Sequence, residues 1–112
     1  MKRLDIVNAL GSTYKCYAIG SHKGECISPY IVLKYDNQLT SVNNSQCGWQ
    51  VVHIFCYVPK TNILKLDDMI EDVKQILRNI LEFTGDITPE QIDEDKNAYF
   101  RRMKYRIPKE VI

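Results

Sequence analysis

What this sequence has little of already narrows its chemistry. No uninterrupted apolar run exceeds a few residues, far short of the ~20 that a membrane-spanning helix needs. The N-terminus, Met-Lys-Arg-Leu-Asp-Ile-Val-Asn, starts charged but has no apolar stretch behind it, so a secretory signal is not expected there. There are only 5 glycines. Gly20-Ser21 and Gly24 lack the Gly-Lys-Ser/Thr that would make a phosphate-cradling loop. The 4 cysteines, Cys16, Cys26, Cys47 and Cys56, include no pair separated by two residues. A zinc knuckle and a thioredoxin-like pair are therefore excluded. Without a secretion signal a disulfide framework is not expected either.

The composition is that of a globular protein, 45% hydrophobic and 26% charged over 112 residues. That length suits one domain, which buries roughly two-thirds of its unfolded surface. No repeat, low-complexity segment or linker divides it, so residues 1–112 are expected to be a single domain. The net charge of +1 hides a strong segregation. Residues 1–60 carry 6 basic and 3 acidic side chains, residues 61–95 carry 3 and 10, and residues 96–112 carry 6 and 1. Separated blocks of opposite sign can give a molecule complementary faces.

Along the chain, Leu4, Val7 and Leu10 have helical spacing and Gly11 follows as a stop. Tyr14 to Ile19 reads as a strand, and residues 20–29 as a loop rich in Gly and Ser. Tyr30 to Tyr35 is a second strand, followed by a long polar loop over residues 36–48. Trp49 to Val58 is apolar on both faces, so it is expected at the centre of a sheet, and Pro59 ends it. Leu66, Met69, Ile70, Val73, Ile76, Leu77 and Ile80 form the stripe of a long helix over residues 66–83, closed by Gly85. Its polar side holds Asp67, Asp68, Glu71 and Asp72. Thr88-Pro89-Glu90-Gln91 has the pattern of a short helix start. Asn97 to Ile107 is a last strand. Phe100, Arg102, Lys104 and Arg106 lie on one face of it, and Tyr99, Arg101, Met103, Tyr105 and Ile107 on the other. The expected fold is α+β: a mostly antiparallel sheet of about four strands, with one long helix packed on a face and a short N-terminal helix.

Catalytic chemistry finds little support. His22 sits in a polar loop and His53 in the middle of an apolar strand. Cys47, His53 and Cys56 are the only cluster with ligand chemistry, and their spacing matches no recurring zinc pattern. Neither histidine is marked as the partner of a nucleophilic cysteine. The carboxylates at 67, 68, 71 and 72 read as the solvent side of a helix. No enzyme activity, metal or cofactor is expected. The last strand offers a binding chemistry instead. Arg101, Arg102, Lys104, Arg106 and Lys109 alternate with Tyr99, Phe100 and Tyr105, a mixture able to hold phosphates and stack bases. The overall pI near 7.6 is below the ~9 typical of dedicated nucleic-acid binders.

The layout as a whole resembles the tail terminator, or tail completion, proteins of long-tailed bacteriophages and phage-tail-like bacteriocins. The likeness rests on a series in order: the N-terminal helix, the strand start Ser28-Pro29-Tyr30-Ile31-Val32-Leu33, the strand Trp49 to Pro59 ending in Tyr-Val-Pro, the helix start Leu66 to Val73, and the final strand Tyr99 to Ile107 ending in Ile-Pro-Lys. It implies a structural assembly protein of the virion, put together in the bacterial host cytoplasm. Such a protein caps the tail tube as a homo-hexameric ring in the neck and offers the head-to-tail joining surface. Its implied partners are copies of itself, the tail tube protein and the head-tail connector, with sheath protein and the DNA in the lumen as further candidates and no membrane. On that reading Arg101, Arg102, Lys104, Arg106, Asp67, Asp68, Glu71 and Asp72 are the candidate subunit or lumen contacts. Asn37, Gln38, Asn43 and Asn44 are candidate partner contacts in the long loop. The alternatives are a small nucleic-acid-binding protein using the basic last strand, or another neck or head-completion protein.

Overall fold

The computed structural model describes residues 3–18, 26, 28–38 and 49–107. Helix α1 spans Arg3–Gly11. Ile6 and Leu10 share one face of it and are fully buried, with Val7 half-buried beside them. The amides of Thr13 and Tyr14 both donate to the carbonyl of Leu10, at 3.0 and 2.9 Å, which satisfies one of the helix's last carbonyls. Strand β1, Lys15–Ala18, follows.

Strands β2 (Tyr30–Gln38) and β3 (Trp49–Pro59) pair antiparallel along their length, from Tyr30 opposite Tyr57 to Gln38 opposite Trp49. A 3-10 turn, Lys60–Asn62, leads into helix α2, Leu64–Leu77. Three further strands complete the sheet: β4 (Glu82–Ile87), β5 (Gln91–Asp93) and β6 (Ala98–Ile107). The strand order is β1-β2-β3-β6-β4, with β5 pairing the start of β6. All pairings are antiparallel except β1 with β2. The fold is therefore α+β on a mixed six-stranded sheet.

Strand β3 lies between β2 and β6, as expected of a strand apolar on both faces. One face of the sheet carries both helices. Ile31, Leu33, Val52, Ile54, Cys56, Val58, Met103, Tyr105 and Ile107 line it and meet Ile6 and Leu10 of α1 and Leu66, Met69, Ile70, Val73 and Leu77 of α2. Each fully buried aliphatic side chain in that layer contributes ~1.5–3 kcal/mol. The second face, away from the helices, carries a smaller cluster: Tyr30, Val32, Tyr57 and Ala98, joined by Cys26. The Cys26 amide donates to the Lys96 carbonyl at 2.8 Å and holds residue 26 beside the β5–β6 turn.

Five expectations are corrected. Strand β2 runs on through Asp36, Asn37 and Gln38, because the backbone of Val51, Gln50 and Trp49 pairs with it. Helix α2 starts two residues earlier and ends at Leu77 instead of residue 83. Glu82 and Phe83 are pulled into β4 by pairing with Arg106 and Tyr105, so sheet pairing overrides the helical periodicity. Gly85 is consequently not a helix stop. It has φ +86° inside a bulge, where Phe83 to Ile87 spans what β6 covers between Tyr105 and Met103. Thr88 caps no helix: its amide donates to the Arg102 carbonyl and its hydroxyl accepts the Arg102 amide, both at 3.0 Å. With β4 and β5 added to the expected strands, the sheet has six and not about four. The part of the long loop at residues 39–48 lies outside the described residues.

Candidate functional site

The alternation of β6 decides where the basic side chains go. Arg102, Lys104 and Arg106 share the second face with Phe100, while Arg101 falls on the helix face. Register then adds residues from neighbouring strands. Lys34 of β2 lies opposite His53 of β3, and His53 lies opposite Lys104 of β6. These three make one cross-strand row. The next row toward the strand ends places Val32, Phe55 and Arg102 together, and the row after that Tyr30, Tyr57 and Phe100.

The third row is an aromatic ladder. Tyr30 and Tyr57 stack with centroids 4.9 Å apart, and Tyr57 and Phe100 with centroids 5.0 Å apart. Tyr17 of β1 meets Tyr30 edge-on at 5.5 Å. Such pairs add ~0.5–1.5 kcal/mol each beyond their buried area. Tyr30 and Tyr57 are buried, while Tyr17, Phe55 and Phe100 on this face are partly open to solvent. The second face is thus apolar at one end and cationic at the other.

Arg102 joins the two ends. Its Nη1 lies 2.9 Å from His53 Nδ1, and its Nη2 donates to Asp86 Oδ1 at 3.2 Å. A guanidinium can only donate, so Nδ1 of His53 accepts and the ring proton sits on Nε2. The β4 bulge is what brings Asp86 here: Thr84 Oγ1 donates to the Lys104 carbonyl at 2.8 Å and accepts the Asp86 amide at 3.2 Å.

The acidic candidates lie on the opposite side of the molecule, along α2. Asp67, Asp68, Glu71 and Asp72 are all exposed. Asp67 Oδ1 is 3.8 Å from Arg101 Nη1, and Arg101 Nε donates to the Thr88 carbonyl at 2.9 Å. Arg101 is therefore separated from the other three cationic candidates and serves α2. Glu71 pairs with Lys74 at 3.8 Å, and Asp72 accepts the Tyr14 hydroxyl at 2.8 Å. Burial and the Asp72 contact push the Tyr14 hydroxyl well above its ordinary value.

Asn37 and Gln38 close β2 and do not belong to a loop, while Asn43 and Asn44 lie outside the described residues. The cluster of Cys47, His53 and Cys56 is not assembled from its described members. Cys56 is fully buried on the helix face, and His53 is on the other face of the same strand. Among the described residues no group of three or more His, Cys, Asp or Glu side chains is placed to hold a metal ion. No helix among them is long and apolar enough to cross a membrane. Lys34, His53, Asp86 and Thr88 were not legible as members of this face, because register and a bulge, not local pattern, bring them together. No protein-family model matches the sequence, and no curated protein matches it closely enough to count as a relative.

Proposed function

We propose that this chain is a non-enzymatic assembly protein of the tail-terminator kind: a ring of about six copies that caps a tail tube and presents the surface to which the head connector docks. One observation carries the reading. Four carboxylates, Asp67, Asp68, Glu71 and Asp72, lie along α2 among Lys65 and Lys74, with Arg78 at its end, and four cations, Lys34, Arg102, Lys104 and Arg106, lie on the second sheet face among Asp36, Glu82 and Asp86. A head-to-tail ring needs two different, complementary patches on each subunit, and opposite faces of a two-layer domain supply them. The resemblance described above supports the same assignment and gives its partners, the tube and connector proteins of a virion neck.

The test is a charge exchange between faces. Lys104→Glu with Arg106→Glu should abolish assembly, and so should Asp68→Lys with Glu71→Lys. Mixed together, the two variants should assemble again, since each then offers the sign the other has lost. Failure of the mixture to assemble while each variant stays folded counts against a face-to-face ring.

A second reading is favoured by the cross-strand row of Lys34, His53 and Lys104 beside partly exposed Phe55 and Phe100. It makes the second face a nucleic-acid surface, either in a ring lumen or in a free domain. DNA titration at two salt concentrations tests it. Each phosphate contact removed by Lys104→Ala or Arg106→Ala should lower the salt slope by about one.

A further inference from the structure

The β4/β5 edge carries two features that neither reading uses. The first is a groove of about 290 Å³ between the end of α2 and β4. Leu81, Phe83 and Tyr105 line it, with Lys74, Arg78 and Glu71 at its rim. Leu81 and Tyr105 are buried, but Phe83 is 37% exposed, and its ring is held by Tyr105 at 5.1 Å and by Lys74 Nζ at 5.3 Å. Lys74 already has Glu71 at 3.8 Å, so Arg78, which is exposed, supplies the rim's excess positive charge. The volume is at the small end of the ~300–1,000 Å³ of ligand pockets and suits a side chain or two.

The second feature is the β5 turn. Ile92 is 50% exposed, an apolar side chain on a strand otherwise facing water. Acidic residues flank it in the chain, Glu90, Asp93, Glu94 and Asp95, and of these Asp93, opposite Ala98, turns to the other face of the sheet. Asp93 is occupied with the Lys96 amide at 3.2 Å, and Glu94 with Lys60 at 3.6 Å, while Glu90 and Asp95 are exposed. The groove is apolar with a positive rim, and the turn is an apolar knob with the exposed carboxylates Glu90 and Asp95 near it in the chain.

Their placement makes the match self-complementary. Ile92 lies opposite Tyr99 and Phe83 opposite Tyr105, so both features belong to the helix face of the same sheet edge. They are six β6 residues apart, about 20 Å at ~3.3 Å per residue. A two-fold axis along the sheet normal reverses the edge and keeps the helices on the same side. It sets each knob against the other copy's groove, two contacts from one operation. The bulge at Gly85 disfavours a simple extension of the sheet across this edge, so side chains rather than backbone bonds must carry the contact.

We infer that the β4/β5 edge is a docking surface for a second copy of this chain, with Ile92 of each copy seated on Leu81, Phe83 and Tyr105 of the other and Arg78 facing the exposed Glu90. The contact is distinct from the charge-opposed faces except at Glu71, which lies both on the acidic side of α2 and at the groove rim. Sedimentation equilibrium of the full chain, from low to high micromolar concentration, tests it. Ile92→Lys, at an exposed position, should leave the fold intact and weaken edge pairing by about tenfold or more. Arg78→Glu should weaken it as well, and Glu90→Lys combined with Arg78→Glu should recover part of the loss. A photo-crosslinker at position 92 should attach to residues 71–83 of another copy. Association unchanged in Ile92→Lys, monomers at every concentration, or crosslinks to a different protein or a different surface would overturn the inference. The Lys104→Glu/Arg106→Glu variant separates the two interfaces: it should lose the ring and keep the edge pair.

Discussion

Arg102 and His53, on adjacent strands, meet through Nη1 and Nδ1 at 2.9 Å, and the same guanidinium reaches Asp86 at 3.2 Å. One side chain from β6 thereby ties β3 to the bulge of β4. Its own backbone is fixed by Thr88 on both the amide and the carbonyl. The cationic end of the second face is therefore positioned and not a set of loose side chains.

Removing that link should cost stability. Arg102→Ala leaves Asp86 and His53 without their shared donor. A loss of ~1–2 kcal/mol is expected, at the modest end because Asp86 is half exposed. Arg102→Lys should recover little of it, since an ammonium lacks the planar fork that serves two acceptors. Urea denaturation of the three proteins checks both statements.

The glycine in the β4 bulge carries a backbone constraint. Gly85 has φ +86°, and a Cβ there would meet nothing within 4 Å. Gly85→Ala should therefore destabilise by about 1 kcal/mol through conformation alone. Gly11→Ala, at a helix end with no positive φ, should be neutral or slightly stabilising by the same measurement.

The helix–sheet layer should respond as a packed core. Leu66 and Leu77 are fully buried on α2. Either one replaced by Ala should cost ~2–5 kcal/mol. Leu64, 86% exposed at the start of the same helix, should tolerate Ala with little change. The contrast, read by thermal or urea unfolding, tests the assigned helix face.

Alkaline pH should weaken the fold. Burial pushes the Cys56 thiol from 9.0 up to about 12, with nearby Cys16 adding to the rise and Arg101 opposing it. Burial likewise pushes the Tyr105 hydroxyl from 10.0 up to about 12. A raised value means that the folded chain holds its proton where the unfolded chain has lost it. The contribution is complete below about pH 9 and disappears as pH approaches about 12. The urea midpoint should therefore fall from about pH 9 to about pH 11. Cys56 should react with iodoacetamide only on unfolding.

The elements with clear periodicity were legible in the sequence. The stripe of α2, the two apolar faces of β3 and the alternation of β6 all place their residues as expected. The segment after Leu77 was not, because Ile80 and Leu81 continue a helical spacing while Phe83 and Thr84 are claimed by β6. Thr88-Pro89-Glu90-Gln91 imitates a helix cap, yet its threonine serves the backbone of Arg102. The basic strand was visible as a pattern. Its partners Lys34, His53 and Asp86 were not, since strand register is a tertiary property that no local pattern encodes.

The central claim is that opposed charged faces close copies of this chain into a ring. Its most direct measurement is native mass against concentration in the Ile92→Lys background, where edge pairing is weakened. The account predicts a dominant species of about six subunits that dissociates as salt rises and is lost in Lys104→Glu/Arg106→Glu. A strict monomer at all concentrations, alone and with isolated tail tubes, would contradict it.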